Sequence, residues 1–512
     1  MGETIQAELT DLSASDLARQ LAVRHISATE AVKAHISRIE ELDGRIHAVV
    51  VPMFDEALSE AAKADGMSPQ GRPLHGVPVT VKECFHVKGT PSTVGLDSRR
   101  DHRAGEDAEL VSRLKAAGAI VIAKTNVPQL LIYVEADNPL YGRTNNPWNL
   151  ARSPGGSSGG EGAAVAAGYS ALGLGTDIGG SVRIPAHVCG LQSLKPTPGK
   201  LSLRGTEDEA LLSHIAIPDA AGPLARTVAD LRLAMTALGA AVTDTSVKGL
   251  RVGFYVDDGY FPASAAVRRA VEEAGRGLDA AGCTVKEFSP PDILEALRVF
   301  YGLFTTDGGE LFKSVLKGSR YDERIKDLMT LATLPNLLRP AVASLYGMRG
   351  QRRVAQLVGW AGKRSKNDTA ALVARREAYR QRFLAALGNI DVLICPPCSV
   401  PAVTHGATKQ MGPASVCYTL LYNLLGWPAG VVSATRVRVG EEKGRASSRD
   451  LVEDTARKVD EGSAGLPIGV QVASKPGRED LVLAVMSVLE AHFRGGADYP
   501  ITPVTPSTLV QG

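Results

Sequence analysis

Two serines set among glycines, Ser157 and Ser181, bound an alanine- and glycine-rich apolar run. This stretch constrains the chain more than any other. It reads Ser-Pro-Gly-Gly-Ser-Ser-Gly-Gly-Glu-Gly from 153 to 162, and Gly-Leu-Gly-Thr-Asp-Ile-Gly-Gly-Ser-Val-Arg-Ile-Pro from 173 to 185. Glycine admits tight and left-handed turns and lets another group approach the backbone closely. Each serine can therefore present its hydroxyl unobstructed. Consecutive N–H groups at Gly179 and Gly180 can converge on a developing negative oxygen. Asp177, Ile178, Arg183, Ile184 and Pro185 stand among the glycines, whereas flexible linkers are Gly/Ser throughout. A dinucleotide-type Gly-x-Gly-x-x-Gly fails at Ile178, and no Gly-x4-Gly-Lys-Ser/Thr phosphate loop exists.

Around this block, helical patterns alternate with short apolar strands. Residues 8–43 read as helical, with Ser13 as one N-cap and Ser27-Ala28-Thr29-Glu30 as a capping box. Residues 49–51 read as a strand, and so does the β-branched run Val77, Val79, Val81 that leads into Lys82. Residues 108–117, 264–281, 375–387 and 478–493 read as helices, and 159–167 as a buried helix. Residues 119–123, 284–288, 391–394 and 469–473 read as strands. Such alternation specifies an α/β fold with a largely buried sheet. The polar stretch 440–465 reads as a surface insertion.

The formal net charge of +2 on 512 residues offers no electrostatic case for nucleic acid. Met1 to Gln6 form no signal peptide, and no run of 18 apolar residues occurs to span a membrane. A cytoplasmic location follows as the expectation. Cys395-Pro-Pro-Cys398 is a lone pair, whereas zinc needs four ligands. The six cysteines therefore read as buried thiols, and no metal is expected.

Lys82, Ser157 and Ser181, in the wording quoted above, resemble the amidase signature family. The segments 125–129, 138–142, 146–148, 306–309, 426–432 and 465–471 are similar to its fatty acid amide hydrolase branch. The resemblance runs from about residue 70 almost to the C-terminus. It implies a single domain over 1–512 with a mixed central sheet surrounded by helices. Residues 1–65 would be a helical extension packed on that domain, and 295–350 a helical lid over an acyl pocket.

It also implies Ser181 as nucleophile, Ser157 as proton relay behind a cis Gly156–Ser157 peptide, and Lys82 as base. A lysine serves as a base at neutral pH only where its surroundings disfavour the ammonium. The amides of Ile178, Gly179, Gly180 and Ser181 would hold the oxyanion, with Ser158, Thr176, Asp177 and Arg183 in support. Asp177 and Arg183 read equally as a salt bridge that braces the loop. Leu131 and Ile132 match positions that line the acyl pocket in fatty acid amide hydrolases. Leu334 and Leu338, within the apolar stretch 328–346, would form a second wall. That stretch is broken by Pro335 and Pro340, so it reads as a lid more readily than a membrane anchor, or else as plain core. The expected partner is a small-molecule amide, ester or carbamate, with no cofactor, no nucleic acid, no spanning segment, and a homodimer as the assembly to test. The alternatives are the glutaminase component of a tRNA-dependent amidotransferase and a carbamate-specific hydrolase.

Overall fold

The computed structural model describes residues 8–504. The expected features of Met1 to Gln6 lie outside the described residues. Local signals start the chain. Ser13 accepts from the Asp16 amide and caps helix Ala14–Ala22. Ser27 and Glu30 close a capping box on helix Ala28–Ile46. The helical run expected over 8–43 is thus broken by a turn, in which Arg24 takes a left-handed conformation.

The strands in chain order begin with β1 (Val49–Pro52), β2 (Pro78–Lys82), β3 (Ile120–Thr125), β4 (Asp137–Asn138), β5 (Gly142–Arg143) and β6 (Leu172–Asp177). They continue with β7 (Gln192–Lys195), β8 (Ala220–Ala225), β9 (Arg251–Phe254) and β10 (Thr284–Glu287). The last are β11 (Val392–Cys395), β12 (Ala429–Arg436) and β13 (Pro467–Ser474). Eleven of them form one mixed sheet in the order β1-β3-β2-β6-β8-β7-β12-β13-β11-β9-β10, while β4 and β5 form a separate ribbon. β2 runs parallel to both β3 and β6. β12 and β13 are antiparallel. β1 closes one edge by pairing antiparallel with β3, so part of the N-terminal segment belongs to the main sheet.

Every residue of β2, β3, β6 and β13 is buried. The alternation of valines in β2 therefore marks two packed faces, not one packed and one wet. Helices Gly159–Ala166 and Arg183–Cys189 pack on each other, the first on β6 and β2, the second on β12 and β13. Helix Glu479–Arg494 packs against β12 and β13, and against helices Val228–Ala237 and Ala265–Ala280.

Two segments differ from expectation. The helix expected over 375–387 begins earlier, at Lys366, because Ser365 and Asp368 form a capping box there. The stretch 440–465 is partly built into the body. Its helix Leu451–Asp460 buries Val452, Ala456 and Val459, and Arg445 reaches the Ser399 carbonyl at 2.8 Å. The stretch 295–350 is helical, and its outer part is open to solvent. Leu337 is 90% exposed, Met348 77% and Leu338 50%. Among the described residues no helix is long and apolar enough to cross a membrane. All six cysteines are free and buried.

Candidate active site

Lys82 ends β2 and is fully buried. Parallel pairing with β6, in register at Val81 and Leu174, brings it into reach of Thr176. Its Nζ donates to Ser157 Oγ at 2.7 Å and to Thr176 Oγ1 at 2.6 Å, with the Thr176 carbonyl at 3.5 Å. Ser157 follows a cis peptide from Gly156. A Cβ on Gly156 would stand 2.7 Å from the Glu135 amide nitrogen and 2.9 Å from Val134 Cα, so only glycine fits. Ser158 ties the two serine loops together. Its amide donates to the Ser181 carbonyl at 3.1 Å, and its Oγ to the Thr176 carbonyl at 3.3 Å. The Ser157 and Ser181 hydroxyls are not hydrogen-bonded to each other. Ser181 is 8% exposed and Ser157 2%, so both hydroxyls lie largely shut off from solvent.

The loop after β6 is held by Asp177. Its Oδ1 accepts from the Gly180 amide at 2.8 Å and its Oδ2 from the Val182 amide at 3.1 Å. Arg183 grips the same carboxylate through Nε at 3.0 Å and Nη2 at 2.8 Å. Burial opposes ionisation here, but the Arg183 charge and its hydrogen bonds, with Lys195 behind, keep the Asp177 carboxyl well below the usual carboxylate range.

In this geometry the Gly180 amide is turned onto the Asp177 carboxylate. The Gly179 carbonyl is pinned from the other side by Thr419 Oγ1 at 2.7 Å. Gly180 has φ +125°, and a Cβ there would overlap the Thr419 hydroxyl. No hydrogen bond joins the amides of Ile178, Gly179 or Ser181 to another described residue.

Glu161, in the first turn of helix Gly159–Ala166 and four residues after Ser157, has no reading from the sequence. It is fully buried and accepts from Thr80 Oγ1 at 2.7 Å and from Thr125 Oγ1 at 2.6 Å. Burial pushes its carboxyl from 4.5 up to about 8, against the Thr125 and Thr80 hydrogen bonds and the Lys82 charge. An available signal was Thr80, two residues before Lys82 and so on the same strand face. The native state binds more protons here than the unfolded chain, so this contribution to stability falls as pH rises from about 5 to about 8. Glu161→Gln should therefore gain on the wild type by about 1 kcal/mol or more across that window, read from thermal midpoints at each pH. Parallel melting of the two proteins would show that Glu161 titrates alike folded and unfolded.

Leu131 and Ile132 lie in a segment whose Val134–Glu135 backbone presses on Gly156. Leu131 is buried, and Ile132 is half-buried against the core. Leu130, Leu131 and Tyr133 all take positive φ (58°, 60° and 87°), an uncommon state for side chains of this size. Sequence patterning missed Phe300, whose ring comes within 3.8 Å of the Cβ position of Gly179. Phe300 stacks on Phe304 at 6.0 Å, and Tyr301 stacks on Trp360 at 6.3 Å. The apolar face of helix Ile293–Phe304 was the available signal.

Leu334 and Leu338 are not brought to the serine loops by any described contact. Arg339 ties their turn to the Leu331, Ala332 and Val358 carbonyls instead. A cavity of about 760 Å³ between helices Ile293–Phe304, Arg352–Trp360 and Lys366–Leu387 is lined by Arg298, Trp360, Arg364, Leu372 and Arg375, and by no residue of the serine loops. A narrow cleft lined by Val134, Gly155, Ile184 and Cys398 lies closer to them. Among the described residues no cluster of His, Cys, Asp or Glu could hold a metal.

A family model described as Amidase matches residues 30–483. The chain is 37% identical over 456 residues to fatty-acid amide hydrolase 1 of Sus scrofa, covering 83% of this chain and 76% of that protein. It is 32% identical over 453 residues to a glutamyl-tRNA(Gln) amidotransferase subunit of Chromohalobacter salexigens, covering 83% of this chain and 90% of that one. A solved fatty acid amide hydrolase superposes with a TM-score of 0.80 at 25% identity, over 97% of this chain and 87% of that one. A buried lysine joined to a serine loop, on a mixed α/β sheet of this shape and within a family match of this length, has one consistent reading: the chain belongs to the amidase signature family and is an amide hydrolase.

Proposed function

We propose that the chain cleaves acyl amides through an acyl-enzyme on Ser181. The observation that carries this reading is the 2.7 Å contact between Lys82 Nζ and Ser157 Oγ, in a serine loop bonded to Ser181 by its backbone. With Lys82 entering as the free amine, Ser181 Oγ attacks the substrate carbonyl carbon and gives its proton to Ser157 Oγ, as Ser157 turns its own proton onto the Lys82 Nζ lone pair, leaving an ammonium. The carbonyl oxygen becomes an oxyanion, held by the amides of Ile178, Gly179 and Ser181. As the C–N bond breaks, the relay runs backward and Ser157 protonates the leaving nitrogen. Water, activated by the same pair, then hydrolyses the Ser181 ester. Thr176 holds Lys82, and the Asp177–Arg183 pair holds the loop.

The substrate side is apolar. Leu131, Ile132, Phe300 and the aromatic stack beyond it support medium to long acyl or aryl groups. Each methylene buried adds up to about 0.8 kcal/mol until the pocket is full. Across a homologous series of acyl anilides, kcat/KM should therefore rise with acyl length and then level. A profile that is flat or falling from acetyl onward, with glutamine the best substrate, would sink this reading and favour the amidotransferase role. Running a carbamate series beside it separates amide from carbamate preference. The absence of disulfides among six buried cysteines supports a reducing compartment such as the cytoplasm.

A further inference from the structure

Arg183 carries five N–H donors in a rigid fork, and each has an acceptor. Nε and Nη2 meet Asp177, Nη2 also meets Asn423 Oδ1 at 2.5 Å, and Nη1 meets the Thr419 carbonyl at 2.9 Å and Gln471 Oε1 at 2.7 Å. Asn423 also touches Asp177 directly. Among the described residues, Gln471 has only one side-chain hydrogen bond to the serine loops, the one from Arg183 to its Oε1. It is fully buried in β13, 288 positions from Arg183 in sequence. Its Nε2 faces the Pro396 and Tyr418 carbonyls, both at 3.2 Å, and Cys395 Sγ at 3.3 Å. Two carbonyls on the nitrogen side fix the amide orientation, so Oε1 points at Arg183.

We infer that Gln471 is a positioning residue for acyl transfer: by holding Arg183 it fixes Asp177, and through Asp177 the direction of the oxyanion amides. This rests on the assignment of Ser181 as nucleophile. The link runs along bonds already described. Without Oε1, one buried guanidinium N–H has no acceptor and the fork can turn away from Asp177. The Gly180 and Val182 amides then lose a fixed partner, and the neighbouring Ile178, Gly179 and Ser181 amides lose their aim. Loss of one oxyanion donor costs about 10²–10³ in kcat. A set of donors that is loosened but present should cost about tenfold.

The test compares Gln471→Met, which matches the length but carries no hydrogen-bonding amide, with Gln471→Glu, which keeps an oxygen for Arg183. Two inhibitors are used: an acyl trifluoromethyl ketone, which forms a tetrahedral adduct on a serine, and the matched secondary alcohol, which does not. In folded Gln471→Met, kcat and trifluoromethyl ketone affinity should each fall about tenfold, while KM and alcohol affinity stay within about twofold. Gln471→Glu keeps an acceptor for Arg183 but sets its second oxygen against the Pro396 and Tyr418 carbonyls, so its kcat should lie between those of Gln471→Met and the wild type. Wild-type kcat and ketone affinity in folded Gln471→Met, or equal loss of both inhibitors, would overturn the inference. If Gln471→Met does not fold, Gln471→Leu, also apolar and without an amide, takes its place and is read by the same split of kcat and ketone affinity from KM and alcohol affinity. Mapping the ketone adduct on the wild type keeps the two readings apart, since an adduct away from Ser181 defeats the nucleophile assignment whatever Gln471 does.

Discussion

Ser181→Ala is expected to lower kcat by about 10⁴–10⁶, the scale seen when a nucleophile that acts as part of a unit is removed. The fold should hardly notice. The Ser181 hydroxyl bonds to no other described residue, and the Ser181 carbonyl that receives the Ser158 amide is backbone. Stability should stay within about 0.5 kcal/mol of wild type, as for substitutions that break no packing or polar network. A fluorophosphonate followed by peptide mass spectrometry provides the check. The label should sit on the peptide containing Ser181 and vanish in the variant. A label on Ser157, or on any cysteine, would transfer the nucleophile's role elsewhere.

Lys82→Ala should separate amides from esters. An amide nitrogen must be protonated to leave, while an activated alkoxide leaves unaided. Proton transfer by a positioned group contributes about 10²–10⁴. The amide rate should fall by that order, and the rate on a matched activated ester at least about tenfold less. Equal losses on the two substrates would show that Lys82 does not drive leaving-group protonation. Unlike Ser181→Ala, this change should also cost stability. It leaves Ser157 Oγ and Thr176 Oγ1 without the buried donor they share, at about 1–3 kcal/mol. Denaturant midpoints measured beside the rates keep the two effects separate.

Much of the fold was legible because it rests on local chemistry. Ser13 and Ser27 cap their helices by bonds reaching three residues along the chain. The β-branched run before Lys82 makes a strand by its own preference, and the glycines at 155, 156 and 180 mark turns that a side chain would obstruct. Fold class, the serine loops and the family resemblance all follow from such short-range signals.

The site was less legible. The family resemblance presents the four consecutive amides from Ile178 to Ser181 alike, and the folded loop turns that of Gly180 onto the Asp177 carboxylate. The partners that fix that choice, Thr419, Asn423 and Gln471, lie more than 230 positions away. Leu334 and Leu338 sit in an apolar stretch whose turn Arg339 fastens to neighbouring carbonyls, with Leu338 half-exposed. Residue type and spacing specify what a side chain is able to do. Which of its donors and acceptors are already taken is set by long-range packing, because a buried polar group must find its partners wherever the fold brings them.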